Sequence, residues 1–409
     1  MKSLNLINEK NKQLVVDQFI LSVYFAFASV GISLKLGWFV TILYVVFVFY
    51  AWWSFPNVLS WAKKVINETQ CLWIGIVVLV SLAIISTFVH PLIDKNGFQI
   101  GRLEVGPSDS DNGLYDTTSS LLRGEYPYYS VSFLGNKHTP MPGSILIAIP
   151  FVLINKIVLQ NIFWLCAFLF VLWKYIFKDI HATAITLLYL VIVSPNTLYH
   201  LMTGIDYVSN SIYIIIFTKL LLLEIKKINN INREMLNVYL LAALSGVTFS
   251  SRLNFIFLIP LIFGFSLKEV GFLTSVKIIS VLFFSFFAIT FPFYIYDIEG
   301  FSPLHTANKI RFSLFGFEHW NIVILFITAF LSAGLGLLRS KMFFSNCLIA
   351  VSFPIFSSTV LSLATMGMNG VSYFHYGVFL IFFVILSVTE HRNSLFNFES
   401  LKDMVPKKV

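Results

Sequence analysis

Long apolar runs separated by short polar ones dominate the chain. They cover 14–33, 37–55, 72–90, 157–173, 182–195, 208–223, 236–250, 253–267, 276–296, 321–338, 342–363 and 373–389. An α-helix rises 1.5 Å per residue, so about 20 apolar residues cross a hydrocarbon core. The pattern predicts an all-α fold, a polytopic transmembrane helical bundle of about 11–13 spans, with the shorter runs as tilted partners or half-helices. No internal repeat of fixed period and no low-complexity linker divides it, so 1–409 reads as a single transmembrane domain. The run 144–156 is apolar but too short to span. It is expected to re-enter one leaflet or lie at the interface, its backbone covered by protein or facing a wet cavity.

Composition sharpens this picture. Of 409 residues, 57% are apolar and only 12% charged, roughly half the charged share of a soluble chain. That argues against a soluble globular enzyme, a disordered regulator and a nucleic-acid reader. The net charge of +8 is a topology signal instead. Lys2, Lys10 and Lys12, Lys63 and Lys64, Lys174 and Lys178, Lys226 and Lys227, Lys268, and the tail from Arg392 to Lys408 fall in alternate loops and share one face. Basic loop ends mark the cytoplasmic side, so both termini are expected there, in a bacterial inner membrane. Cys71, Cys166 and Cys347 lie in or beside apolar runs and read as small fillers, with no disulfide framework and no zinc spacing. Met1–Gln13 is polar and leads into a first span rather than a cleavable signal peptide. Walker and GxGxxG fingerprints are absent.

One loop stands apart. Residues 91–143 form a long polar insertion on the outward face, holding Asp94, Glu104, Asp109, Asp111, Asp116 and Glu125. No acid sits in the middle of a span, where ion-coupled transporters place theirs. Asp111 and Tyr115 are four residues apart, Ser119 and Leu122 continue that face, and Gly124 supplies a stop. The stretch 111–123 is therefore predicted to be a short amphipathic helix lying on the outer membrane surface, capped near Ser108–Ser110. Asp109 and Asp111 stand where a helix N-terminus favours carboxylates, so each reads either as a capping acid or as chemistry.

The order Asp111, Tyr115, Ser119, Leu121-Leu122, Gly124, Pro127-Tyr128, followed by Thr139-Pro-Met-Pro142-Gly143 before an apolar helix, resembles the first outer loop of GT-C glycosyltransferases. These are polytopic enzymes that take sugars from polyprenyl-phosphate carriers. Two spans precede the one leading into this loop, where many relatives have one. The resemblance implies an inverting displacement at the sugar's anomeric carbon, with Asp111 as the base and Asp109 as the second choice. It implies no required cofactor, with a divalent cation as an option. The expected partners are a polyprenyl-phosphate-linked sugar donor, a glycan or lipid-linked acceptor such as O-antigen, and membrane lipids, with no nucleic acid.

A leaving phosphate needs a cation. Arg252, at the tip between the runs 236–250 and 253–267, is the candidate donor-phosphate residue; its other reading is an arginine snorkelling from a span end. Tyr115, Tyr128, His138 and Asp206 (with its neighbours His200 and Tyr207) are candidate substrate contacts. So are His305, Lys309 and Arg311 in a second outer loop, 297–320. Each of these also reads as an ordinary loop or interfacial residue. Two other functions fit a polytopic chain of this kind: an O-antigen polymerase, and a glycan flippase or secondary transporter.

Overall fold

Each of the twelve apolar runs is largely helical in the computed structural model, which describes residues 2–96, 98–100, 103–105, 109, 111–228, 235–304, 319–338, 342–366 and 374–390. In chain order the first half holds α1 (Lys2–Lys35), α2 (Trp38–Val65), α3 (Glu68–Asn96), α4 (Asn112–Leu122), α5 (Pro142–Leu153), α6 (Leu159–Val171), α7 (Ile180–Ile192) and α8 (Pro195–Thr203). The second half holds α9 (Tyr207–Lys227), α10 (Met235–Phe249), α11 (Leu258–Val270), α12 (Phe272–Tyr296), α13 (Trp320–Leu338), α14 (Phe343–Met366) and α15 (Val378–Thr389). A π turn, Leu172–Phe177, extends α6, and a 3-10 turn, Leu253–Phe255, leads into α11. Among the described residues, eight helical segments are long and apolar enough to cross a membrane, and the bent pair α7–α8 makes a ninth. The protein is a multi-pass membrane protein. One feature of the polar loop had no counterpart in the apolar pattern: two three-residue strands, β1 (Phe98–Ile100) and β2 (Leu103–Val105), pair antiparallel.

The centre of the bundle is α15. Its sequence VFLIFFVILSVT is apolar on every side, and eleven of its residues, Val378 through Val388, are buried. A helix with no polar face belongs inside, and α1, α9 and α14 pack around this one. By contrast, α3 and α12 turn large apolar side chains such as Ile84, Phe88, Phe284 and Phe287 outward, as lipid-facing helices do.

The break between α7 and α8 has a local cause. Pro195 has no N–H to offer the preceding turn, and the residue before a proline is driven out of the helical region. Ser194 accordingly sits at φ −120°, ψ 82°, and the two axes differ by 83°. Backbone groups released at such depth need partners. Tyr44 donates to the Val193 carbonyl at 3.0 Å, and the Ser194 hydroxyl accepts from the Thr197 N–H at 3.3 Å. The bend brings the C-terminal end of α8 towards the polar loop.

A second, smaller core holds that loop in place. Leu114 of α4, Tyr128, Ile145, Ala148 and Val152 of α5, Ile157 and Phe301 bury one another. The 111–123 helix is packed on protein along one face. Helix α4 buries Gly113, Leu114, Thr117, Thr118 and Ser120 against protein. Small residues permit the close approach, and the threonine hydroxyls bond back to the carbonyls of residues 113 and 114, leaving no bare polar group. The stop at Gly124 is a Schellman turn, in which Glu125 N–H reaches the Ser120 carbonyl at 2.9 Å and Gly124 N–H the Leu121 carbonyl at 3.0 Å.

The short run 144–156 falls on α5, whose 12 residues span only about 18 Å. Protein covers its start, as a non-spanning segment requires. Gly143 N–H bonds to the Ser250 carbonyl at 3.0 Å, and a β-carbon on Gly143 would lie 2.2 Å from the Val247 carbonyl oxygen of α10. Gly143→Ala is expected to force the two helices apart and destabilise the fold by about 1–3 kcal/mol. Thermal unfolding in detergent checks this, and an unchanged midpoint would mean the contact relaxes freely.

Helix α10 in turn packs on α12. A β-carbon on Gly246 would meet the Leu282 carbonyl oxygen at 2.2 Å and the Phe286 nitrogen at 3.0 Å. From that level α10 ends three residues on, at Phe249, while α12 continues to Tyr296.

Candidate active site

The ends of α3, α5, α8, α9 and α10 meet at one pole of the bundle, and there the polar side chains gather. Asp206, the residue before α9, is the hub. Its carboxylate accepts from Arg252 Nη2 at 2.5 Å, from Ser144 Oγ at 2.9 Å and from Asn210 Nδ2 at 3.0 Å. Its side chain is 1% exposed. Arg252 also donates from Nη1 to Thr139 Oγ1 at 3.1 Å and lies over the Tyr207 ring, its guanidinium carbon 5.2 Å from the centroid. The snorkelling alternative for Arg252 therefore fails, because this guanidinium is turned inward onto an acid and an aromatic face. The Asp206 oxygens are held by Arg252, Ser144 and Asn210. Arg252 Nε is buried and has no hydrogen-bond partner among the described residues.

Around Tyr207 lies an aromatic stack. His375 and Tyr376 stack on it with centroids at 5.7 and 5.5 Å, and His200 stands 5.1 Å away on the α8 side. The first two come from the turn leading into α15, which ties the central helix to this pole.

Asp111 is the second centre. It is the residue before α4, but its side chain makes no capping bond. Instead its Oδ2 meets His90 Nε2 of α3 at 2.6 Å, and its side chain is 2% exposed. Both ordinary readings of Asp111, as a helix cap and as a solvated acid, are thereby set aside. Gly204, at the C-terminal end of α8, closes over the pair, since a β-carbon there would stand 3.2 Å from Asp111 Cβ and 3.5 Å from His90 Nε2. Only Ile205 separates Gly204 from Asp206, at most about 7 Å of chain, so the His90–Asp111 pair and the Asp206–Arg252 pair belong to one site.

No family model, curated protein or solved structure matches the chain. The site must be read from its own geometry.

The remaining candidates divide. Asp109 accepts from Ser132 Oγ, and from Asn136 Nδ2 at 2.8 Å, and so ties down the turn 132–136. Tyr128 is buried, its hydroxyl donating to the Pro140 carbonyl at 3.0 Å and its ring packed edge-on to Phe301. Tyr115 donates to Asn155 Oδ1 at 2.9 Å and fastens α4 to the turn after α5. Both tyrosines thus hold the loop together. His138 is buried, with Nε2 lacking a hydrogen bond and standing 3.7 Å from Asp116 Oδ2. Burial pulls the His138 imidazole below its ordinary value against the opposing pull of Asp109. Burial, then the Asp111 charge, push the Asp116 carboxyl up. Both shifts favour the uncharged forms. His305, Lys309 and Arg311 lie outside the described residues. Among the described residues, no three His, Cys, Asp or Glu side chains gather to hold a metal ion.

His90 is what the sequence reading missed. It sits at the last position of the run 72–90 and was absorbed into the span. The available signal was an ionisable residue at a span end, directly before Pro91.

Proposed function

We propose that the protein is a membrane glycosyltransferase that takes a sugar from a polyprenyl-phosphate carrier and places it on a hydroxyl of a glycan or glycolipid such as O-antigen. The observation that carries this reading is a sheltered carboxylate, Asp111, held against His90 at the same pole as the buried cation Arg252. In the reaction the acceptor oxygen bonds to the anomeric carbon from one side. The carbon–oxygen bond to the carrier phosphate breaks on the other, its electron pair leaving on the phosphate, so the anomeric centre inverts. The acceptor's proton passes to the His90–Asp111 pair. Arg252 stands where negative charge grows on the leaving group. No cofactor enters this scheme.

The reading places the site on the outer face of a bacterial inner membrane with both termini cytoplasmic. Lys63 and Lys64 end α2, Lys226 and Lys227 end α9, and Lys268 lies in the last turn of α11. These ends point away from the Asp111 pole, in keeping with basic residues staying inside.

The test is transfer by the purified protein in lipid nanodiscs, supplied with polyprenyl-phosphate hexoses labelled in the sugar and an O-antigen acceptor lipid. Label should move to the acceptor with inverted linkage. Arg252→Ala should raise the donor KM by about ten- to a hundredfold, the worth of one charge-assisted hydrogen bond. Failure to consume any donor would sink the reading. A flippase or transporter is the second reading, favoured by the 83° break between α7 and α8, since broken helices line transport sites. It predicts movement of the lipid-linked sugar between leaflets with its glycosidic bond intact.

A further inference from the structure

Resting on the glycosyltransferase reading, the geometry points to His90, rather than the Asp111 carboxylate, as the group that takes the proton from the acceptor hydroxyl. A base has to come within about 2.6–3.2 Å of the oxygen it deprotonates. Asp111 offers no such approach. Its side chain is 2% exposed, covered by the imidazole at 2.6 Å on one side and by the Gly204 backbone on another. The His90 side chain keeps 18% of its surface exposed, so it is the more exposed member of the pair. An oxygen reaching the pair from outside meets the ring first.

Gly204 is part of this arrangement. It has φ +74° and caps α8, a backbone conformation that side chains with a β-carbon rarely adopt. A β-carbon would also press on both Asp111 and His90. The chain can therefore pass close against the Asp111–His90 pair.

The roles then follow from the chemistry of the two groups. With Nε2–H donating to Asp111 Oδ2, the neutral ring carries its lone pair on Nδ1. As the acceptor oxygen bonds to the anomeric carbon and the phosphate departs with its electron pair, the hydroxyl proton moves to Nδ1. The imidazolium so formed is balanced by the adjacent carboxylate, which fixes tautomer and orientation without itself taking the proton. Asp111 is in direct contact with the ring; Asp94 lies four residues on along α3 and Asp116 one turn further along α4. Gly204 is what α8 presents to the pair, with His200 further back on that helix.

Three variants test this in nanodiscs with the labelled polyprenyl-phosphate hexoses. His90→Gln keeps an N–H for Asp111 but accepts no proton, and transfer should fall by about 10²-fold or more with donor KM little changed. His90→Ala should fall as far and regain transfer when imidazole is added, while Leu114→Ala, a packing change in the same loop, should gain nothing from imidazole. Wild-type turnover in His90→Gln would reduce the ring to a hydrogen-bonding prop and overturn the proposal while leaving the transferase reading in place. Absence of imidazole rescue in a folded, donor-binding His90→Ala would overturn it as well. Donors left intact by the wild-type protein would overturn the transferase reading, and the proposal with it.

Discussion

Asp111→Asn is expected to lower sugar transfer by about 10²–10⁴-fold, the usual range for general acid–base catalysis, because the His90–Asp111 pair loses the charge that supports proton uptake. Asparagine keeps an oxygen for His90 to donate to, so the contact between α3 and the start of α4 survives. The negative charge does not, and a proton arriving at the pair has nothing to balance it. The measurement is single-turnover transfer from a labelled polyprenyl-phosphate hexose, with folded protein quantified by fluorescence-detected gel filtration. Full activity in well-folded Asp111→Asn would remove this residue from the chemistry. A loss accompanied by aggregation would show the 2.6 Å contact to be needed mainly for folding.

The second large effect is on stability. Asp206→Asn should destabilise the protein by about 3–5 kcal/mol, because it leaves the Arg252 guanidinium buried without its counter-charge. Arg252→Met alone leaves the opposite charge stranded and should cost a similar amount. The double variant should recover much of the loss, since a buried ion pair replaced by groups of like size is often nearly neutral. Thermal unfolding of the four proteins in one detergent gives the coupling. Additive losses would mean the two side chains do not act as a pair, despite the 2.5 Å contact.

What could be read from the sequence follows from which forces act locally. Spans were legible because lipid demands unbroken apolar stretches whose backbone bonds to itself, and each of the twelve runs is largely helical. The α4 helix was legible by its i, i+4 spacing and its Gly124 stop, but its docking was not. Its buried face is built from Gly113, Thr117, Thr118 and Ser120 as well as Leu114, and small polar residues give no apolar stripe. Asp111 and Arg252 stood out as charges in unusual company. Their partners did not, because those lie 21 and 46 residues away, and a pairing across helices leaves no trace in local pattern. Tyr115 and Tyr128 show the complementary ambiguity: a tyrosine hydroxyl that bonds Asn155 or the Pro140 carbonyl looks in sequence like one awaiting a ligand.

The unequal heights of α10 and α12 set the depth at which Arg252 works. Past Gly246, α10 has three residues left, while α12 runs ten beyond Phe286 to Tyr296, about 5 Å against about 15 Å. Arg252 thus lies on the order of 10 Å beneath the rim that α12 forms. The Debye length of a physiological electrolyte is about 8 Å, so bulk ions scarcely shield a cation sunk in this well. An anion lowered to it meets the Arg252–Asp206 pair rather than a lone cation, and the pull of that pair varies little with the salinity outside.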